Sequence, residues 1–339
     1  MRKTRWNGIA AVVVSASLLA VSVLPARSQS THTNNLIAGA KQEGKLTWYT
    51  AMSIRDSKSI LETFAKKYPF VKTELVRATG ERLINRITTE TLAGKWLFDV
   101  VSTNGLAVME SKLLAYVSPE AGAYGKQFKD PESRWTGYDH NYYVLTYNTD
   151  KVTAQEVPKG YSDLLDPKWK GKIVIDPEDY EWYGTLVLAW GRQKTDKYMK
   201  QLAAQNIQWR RGHGLIAQVL GAGEFPLGIP YANEIEKLKK KGAPVEWVDT
   251  LDPIVTGLNA IGIGAKSSNP NTAKLFIDFI LSKEGQGIIR DRERLPARED
   301  IKPLSLKADP AKLKLQQVPR EVYSDIAKYA EQFRKIFGL

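Results

Sequence analysis

The sequence predicts an α/β fold with two lobes, each built on a largely parallel sheet. β-rich segments at residues 45–50, 71–76 and 99–102 alternate with segments whose apolar residues recur at helical spacing. A second alternation of strands and helices begins after Tyr147. The chain of 339 residues is also long enough to favour two lobes over one.

The first series has the order β-α-β-α-β. Ile60, Phe64 and Tyr68 share a helical face that ends at Pro69, and Ile84 lies on the face of a second helix. Such a series predicts a parallel sheet with helices on both faces. Ligands of open α/β sheets bind beyond the carboxyl ends of the strands, so we expect the functional loops to follow the three strands.

The second series follows an extended aromatic segment at residues 142–148. Its predicted helices and strands cover residues 182–191, 197–205, 207–209, 215–220, 227–230, 233–241 and 245–248. An alternating stretch at residues 258–263 then leads to a helical region that begins at Pro270. A final amphipathic helix is predicted by one apolar stripe, formed by Val322, Ile326, Tyr329, Phe333 and Phe337.

The N-terminus has the features of a bacterial secretory signal peptide, which we assign to residues 1–28. It begins with the positive residues Arg2, Lys3 and Arg5. An uncharged apolar run follows at residues 9–24, and the small residues Ala26 and Ser28 precede the cleavage position. The run is short for a membrane-spanning helix, and a retained N-terminal anchor is the alternative. We therefore expect an exported, periplasmic protein.

Composition excludes several kinds of function. The lack of cysteine rules out disulfides, thiolate zinc sites and a cysteine nucleophile. The signal peptide holds four basic residues, so 49 − 4 = 45 lysines and arginines face 37 acids, and the mature net charge is +8. The densest lysine cluster, at residues 237–241, is typical of a solvated helix end rather than of a nucleic-acid patch. We expect no nucleic-acid partner, although a basic surface favours the approach of anions.

No catalytic residue is predicted. The chain has three histidines, His32, His140 and His213, and no serine in a nucleophile-elbow sequence. An enzyme built on the same two-lobed fold is the alternative of another class.

Eight segments, spread over nearly the whole mature chain, carry a family resemblance. They are EGKLTWYT at residues 43–50, YNT at 147–149, LLDPKWKGKI at 164–173, AGE at 222–224, KGAPV at 241–245, NPNTAKLF at 269–276, SKEGQ at 282–286 and PAR at 296–298. In this order and spacing they resemble the periplasmic solute-binding proteins of ATP-driven (ABC) importers, in the ferric-iron-binding-protein-like branch of the two-lobed type II class. The resemblance implies one ligand enclosed by hinge closure, a membrane permease as partner, a monomer and no cofactor.

The resemblance also divides the chain. It implies two crossover strands that form a hinge, near residues 144–148 and 257–261. The first lobe is then residues 36–145 plus 258–339, with a C-terminal helix at residues 320–337 packing near the hinge. The second lobe is residues 146–257.

The metal ligands that the resemblance implies do not match this sequence. Ferric-binding relatives use a histidine, a glutamate and two adjacent tyrosines, and the corresponding positions hold Ser53, Asn104, Ala232 and Asn233. Tyr231 alone remains near the expected pair. The pairs Tyr142–Tyr143 and Tyr180–Tyr183 are open either to metal ligation or to plain aromatic packing. We predict no metal ligand, and ferric iron or a ferric chelate is the alternative ligand.

The resemblance and the residue types together indicate a ligand-binding set. Its members are Met52, Ser53, Thr79, Gly80, Ser102, Asn104 and Tyr142 in the first lobe, and Tyr183, Arg210, His213, Tyr231 and Asn233 in the second. An arginine fork at Arg210 or Arg211 and a helix N-terminus at Gly80 suit a carboxylate or phosphate. Glu178 and Asp179 oppose an anion at their own position. We therefore predict one small polar solute, an organic anion that bears a carboxylate or phosphate.

Overall fold

Two β-sheets organise the computed structural model of the protein, which describes residues 24–339 and, for side chains, residues 31–339. Residues 1–23 of the predicted signal peptide lie outside the described residues. The predicted cleavage position, after residue 28, falls within the first described helix. Across residues 24–339, no helix combines the length and apolarity needed to cross a membrane.

The first half of the chain supplies most strands of the first sheet. Its elements are α1 (Leu24–Glu43), β1 (Lys45–Thr50), α2 (Ile54–Lys67), β2 (Lys72–Arg77), α3 (Gly80–Leu92), β3 (Val100–Asn104), β4 (Leu113–Leu114) and β5 (Thr136–Tyr142). β1 pairs in parallel with β2 on one side and with β3 on the other. The predicted β-α-β-α-β series is therefore confirmed, and the carboxyl ends of three strands meet at one edge.

The middle of the chain forms the second sheet. Its elements are β6 (Thr146–Asn148), β7 (Ile173–Ile175), α4 (Tyr180–Trp190), α5 (Arg192–Ala203), β8 (Gln208–Trp209), α6 (His213–Gly221), β9 (Leu227–Gly228), α7 (Ala232–Lys239) and β10 (Val245–Trp247). The strand order is β10-β6-β9-β7-β8. β7 is parallel to both of its neighbours, while β6 is antiparallel to β9 and β10.

The last third of the chain returns to the first sheet. Its elements are β11 (Ile254–Gly264), α8 (Pro270–Leu281), α9 (Lys283–Asp291), β12 (Leu295–Pro296), β13 (Leu315–Gln317), α10 (Arg320–Ser324) and α11 (Ile326–Phe337). The first sheet has the order β12-β5-β11-β3-β1-β2, with β4 and β13 also paired to β11. The predicted fold class, α/β with two sheet-based lobes, is confirmed.

Each lobe has its own core of buried rings. In the first lobe, Phe276 packs edge-on against both Trp48 and Phe64. In the second, Tyr161 packs against Trp182 and Trp190. These rings belong to separate hydrophobic clusters, and truncating a buried aromatic residue of this kind to alanine costs about 3–5 kcal/mol.

Two short segments join the sheets. Residues 143–145 lead from β5 into β6, next to the predicted crossover at residues 144–148. Residues 248–253 lead from β10 into β11, earlier than the predicted crossover at residues 257–261. The difference arises because β11 is buried along its whole length and pairs with β5 already from Thr256.

The two crossovers lie side by side. The Val248 backbone N–H donates to the Leu145 carbonyl at 2.8 Å, and the Tyr143 N–H donates to the Val255 carbonyl at 2.9 Å. A pair of adjacent extended segments between two independent cores is the usual form of a hinge.

The C-terminal helix packs on the second lobe, whereas the sequence assigned it to the first. Tyr329 and Phe333 of α11 are buried in the hydrophobic cluster of the second lobe. Gly184 of α4 permits the close approach, since a Cβ there would lie 2.8 Å from Val322. An apolar stripe shows that a helix has a packing partner but does not identify it, which is why the sequence assignment failed.

Candidate functional site

A cavity of about 570 Å³ lies between the two lobes. The loops after β1, β2 and β3 line it from the first lobe, and the starts of α4, α6 and α7 line it from the second. The segment of α10 and α11 forms a third side through Tyr323, Ile326, Ala327 and Ala330. The cavity therefore lies at the carboxyl ends of the strands and has the volume of a small-molecule site.

Seven of the twelve residues predicted to contact a ligand line this cavity. They are Met52, Ser53, Thr79, Gly80, Asn104, His213 and Tyr231. The cavity lining does not include the other five, Ser102, Tyr142, Tyr183, Arg210 and Asn233.

Three of these five are held inside the protein by packing or hydrogen bonds. Ser102 Oγ accepts from Trp48 Nε1 at 3.0 Å within the first sheet. Tyr142 is 3% exposed and belongs to the hydrophobic core. Asn233 is also buried, and its Nδ2 donates to Glu234 Oε1 at 3.0 Å.

The side chains of the other two, Tyr183 and Arg210, contact neighbours in the second lobe rather than the cavity. The Tyr183 hydroxyl donates to Asp196 at 2.8 Å. The guanidinium of Arg210 lies 5.2 Å from the ring centre of Phe225 and donates to the Trp209 carbonyl. The neighbouring guanidinium of Arg211 pairs with Glu178 at 3.3 Å, and its side chain is 56% exposed. The arginine fork expected from the sequence thus lies outside the cavity lining.

Five carboxylates line the second-lobe side instead, and we call them the carboxylate wall. They are Asp176, Glu178, Asp179, Glu181 and Glu234. Three of them, Asp176, Glu178 and Asp179, belong to the turn from β7 into α4, and Glu181 lies in the first turn of α4. Asp176 fixes this turn, because its Oδ1 accepts from the Glu178 N–H at 2.9 Å and its Oδ2 from the Gly212 N–H at 2.6 Å.

Asp179 and His213 form a buried pair in this wall. Asp179 Oδ1 lies 3.1 Å from His213 Nε2. Burial raises the pKa of Asp179 to about 6, and the attraction of His213 only partly offsets it. Burial lowers the pKa of His213, but Asp179, Asp176 and Glu234 together raise it by more, so the net shift of this pKa is upward. The buried carboxylate of Asp179 and the imidazolium of His213 each stabilise the charge of the other.

His213 is also fixed by two tyrosine rings. The Tyr231 ring stacks on it at 3.5 Å between ring centres, and the Tyr143 ring meets it edge-on at 5.5 Å. The hydroxyl of Tyr231 donates to that of Tyr143 at 3.3 Å. Tyr143 therefore faces the cavity, while Tyr142, the neighbour named by the sequence analysis, faces the core.

Glu181 connects the two lobes. Its Oε2 accepts from Asn104 Nδ2 of the first lobe at 3.2 Å, and the Tyr323 hydroxyl lies 3.5 Å away. Burial raises the pKa of this carboxyl to about 7. A hydrogen bond between Asn104 and Glu181 therefore joins the two lobes across the cavity.

The first-lobe side offers hydrogen-bond donors at the start of α3, and Glu81 is the carboxylate of that part of the cavity lining. Thr79 is the N-cap residue of this helix but its side chain makes no capping hydrogen bond. The buried hydroxyl oxygens of Thr79 and Thr103 have no hydrogen-bond partner among the described residues. Arg77 lines the cavity beside them. Free N–H groups, two hydroxyls and a guanidinium at one place suit an anion.

The positions that hold iron in ferric-binding relatives contain no ligand set here. Ser53 and Asn104 line the cavity, whereas Ala232 and Asn233 are buried at the start of α7. The donor atoms whose spacing suits a metal ion come from Asp176, Asp179 and His213, one from each residue, all within 4.8 Å of one another.

Several cavity residues were not named in advance. Asp176 directly follows β7, so the rule that sites lie at the carboxyl ends of strands could have identified it. Asn141 and Asn259 lie on paired strands and reach the cavity only through the register of β5 and β11. Tyr323 reaches it because the C-terminal segment crosses to the second lobe, and no local pattern signals that.

The comparisons with known proteins agree with this architecture. The profile of the family described as bacterial extracellular solute-binding protein matches residues 90–318. This chain belongs to that family. The solute-binding protein is 26% identical over 302 residues to an uncharacterized protein of Haemophilus influenzae, across 84% of this chain and 87% of the relative.

Two solved structures show the same fold. The solute-binding protein resembles AfuA from Actinobacillus pleuropneumoniae, solved with fructose-6-phosphate bound, with a TM-score of 0.78 and 26% identity, covering 87% of this chain and 99% of AfuA. It resembles iron-bound HitA from Pseudomonas aeruginosa with a TM-score of 0.78 and 18% identity, covering 87% and 99% of the two chains. These relatives place it in the ferric-binding-protein-like branch of periplasmic solute-binding proteins.

Proposed function

We propose that this solute-binding protein delivers to its importer a small organic solute that carries hydroxyl groups and one anionic group, a phosphate or a carboxylate. One observation carries the proposal: one side of the cavity offers hydrogen-bond acceptors and the other offers donors. The carboxylate wall offers hydrogen-bond acceptors, and the start of α3 offers donors.

The carboxylate wall favours hydroxyl groups on the solute. Ionised carboxylates only accept hydrogen bonds, and a hydroxyl group is a neutral donor that can be buried against them. A phosphate facing this wall would instead be repelled. The anionic group therefore belongs at the other side, near Arg77, Thr79 and Gly80.

The likeness to AfuA supports the same assignment, because that structure holds a sugar phosphate. The solute would contact both lobes only when the hinge is closed, and this difference in contacts would shift the population to the closed state. We expect a permease partner and a monomeric protein, as the family resemblance implies.

The first test is a thermal-shift screen with fructose-6-phosphate, gluconate, fructose and inorganic phosphate, followed by calorimetry. The phosphorylated or carboxylated polyols should raise Tm, and free fructose should not. Arg77→Gln should weaken their binding about 10- to 100-fold, the equivalent of about 1.5–3 kcal/mol for a hydrogen bond to a charged group. Arg210→Gln, outside the cavity lining, is the matched control and should bind normally. No shift with any anionic polyol would contradict the proposal.

A ferric ion is the second candidate, and the Tyr143–Tyr231 pair beside His213 and Asp179 favours it. Burial is the largest cause that raises the pKa of both phenols well above its usual value, and Glu181 and Asp179 raise it further, which opposes phenolate formation. We therefore expect no visible phenolate–iron absorption when ferric citrate is added. A band that is lost in Tyr231→Phe would favour iron instead.

A further inference from the structure

We propose that Asp176, Asp179 and His213 form a binding site for one first-row divalent cation in the carboxylate wall. The inference goes beyond the proposed solute, because it concerns the protein before any solute binds. It begins from proximity: the three side chains each place one donor atom within 4.8 Å of the others.

Unused binding capacity is the second observation. Asp179 is 2% exposed, and its Oδ2 has no hydrogen-bond partner among the described residues. His213 Nε2, 3.1 Å from Asp179 Oδ1, is the ring nitrogen that faces this carboxylate. Buried polar atoms are nearly always paired, so an unpaired carboxylate oxygen beside this nitrogen indicates a missing ligand.

The charge balance at this place supports a cation as that ligand. Across residues 31–339, no lysine or arginine forms an ion pair with Asp176, Asp179 or Glu181. The nearby lysine of the second lobe, Lys237, pairs with Glu234 and Asp56 instead. Within residues 31–339, His213 is the basic side chain paired with these carboxylates, and it offsets one negative charge at most. Burying the remaining carboxylate charge without a further cation is costly.

The donor set indicates the class of cation. Two carboxylate oxygens and one imidazole nitrogen suit Zn²⁺, Mn²⁺ or Fe²⁺ better than the all-oxygen preference of Ca²⁺ or Mg²⁺. Three protein donors leave at least one coordination position, which faces the cavity and could accept an oxygen atom of the solute.

All three donors come from one lobe. Asp176 and Asp179 belong to the turn before α4, and His213 is the first residue of α6. The hydrogen bond from the Gly212 N–H to Asp176 Oδ2 joins the two loops. The site is therefore formed without hinge closure, and a cation should bind in the absence of solute.

The test is a titration of the chelator-treated full-length protein with ZnCl₂, without solute, against a chromophoric chelator. We expect one Zn²⁺ per chain, with binding weakened more than about 100-fold in Asp179→Asn and in His213→Gln, since even outer-shell changes cost 10- to 100-fold. Glu224→Gln, at an exposed carboxylate of the same lobe outside the cavity lining, should bind within about threefold of the unmodified protein.

Two further measurements keep the test decisive. Circular dichroism and a thermal melt without metal establish that each variant is folded. The variant His32→Gln measures how much Zn²⁺ is bound instead at the His32–Asp278 pair on the surface. X-ray absorption of the unmodified protein should show one imidazole among oxygen neighbours. Equal Zn²⁺ binding by Asp179→Asn and His213→Gln, loss only in His32→Gln, or a shell without imidazole would overturn the proposal. Because no solute is present, failure here leaves the proposed function untouched.

Discussion

Burial controls the charge state of single side chains in this protein, and His140 on β5 gives a measurable case. Its ring lies 4.8 Å from that of Phe128, and burial lowers its pKa from 6.5 to about 4. A depressed histidine pKa means that the unfolded chain takes up a proton first as the pH falls. The free energy of unfolding should therefore decrease between about pH 6.5 and 4, by up to about 3 kcal/mol at 1.4 kcal/mol per pKa unit.

Urea unfolding at pH 7.5, 5.5 and 4.5 would measure this loss. His140→Gln removes the titrating group, so its stability should fall less steeply over the same range than that of the unmodified protein. The carboxylates titrate in both proteins, and the difference between them isolates the histidine. Parallel pH profiles would show that His140 is protonated in the folded state.

At the residue scale, the sequence predicted which loops reach the cavity better than which side chains do. Ser53, Thr79 and Asn104 follow strands and line it as expected. Tyr142 and Tyr143 are adjacent on the chain, and strand alternation sends one to the core and one to the cavity without indicating which. The direction of the Arg210 side chain depends on Phe225, which no spacing rule relates to it.

At the scale of elements, α11 should stabilise the second lobe. Phe333 is fully buried and its ring contacts those of Tyr180, Tyr183 and Trp209. Phe333→Ala should lower the free energy of unfolding by about 3–5 kcal/mol, the range for a buried aromatic residue. Urea unfolding followed by tryptophan fluorescence would measure the loss. Phe337→Ala, at the half-buried end of the same helix, is the control and should cost less; equal losses would mean that α11 does not pack as described.

The alternation of strands and helices was predictable because helical and strand periodicities are local properties of the chain. Packing partners are not local. β11 pairs with β3, β4, β5 and β13. The crossover before it could therefore not be located from residues 254–264 alone. The same limit applies to α11, whose stripe fits either lobe until the neighbouring α4 is known.

At the scale of the whole molecule, ion pairs between the lobes accompany the hinge. Lys237 of α7 pairs with Asp56 of α2 at 3.0 Å, and both side chains are largely buried. Lys240, directly after the end of α7, pairs with Glu293 at 2.7 Å, but its side chain is 65% exposed. Both contacts exist only while the lobes are together, so both oppose opening.

The burial of the two pairs predicts unequal effects on opening. Lys237→Met should weaken the closed state by about 1.5–3 kcal/mol, the range for a hydrogen bond to a charged group, because Asp56 would keep only Arg294 as a cationic partner. Lys240→Met should change it by less than about 1 kcal/mol, since exposed pairs are screened by solvent. Small-angle X-ray scattering without solute should show a larger radius of gyration for Lys237→Met alone, and the apparent Kd for an anionic polyol should rise about 10- to 100-fold in that variant. Equal behaviour of the two variants would show that the buried pair does not hold the lobes together.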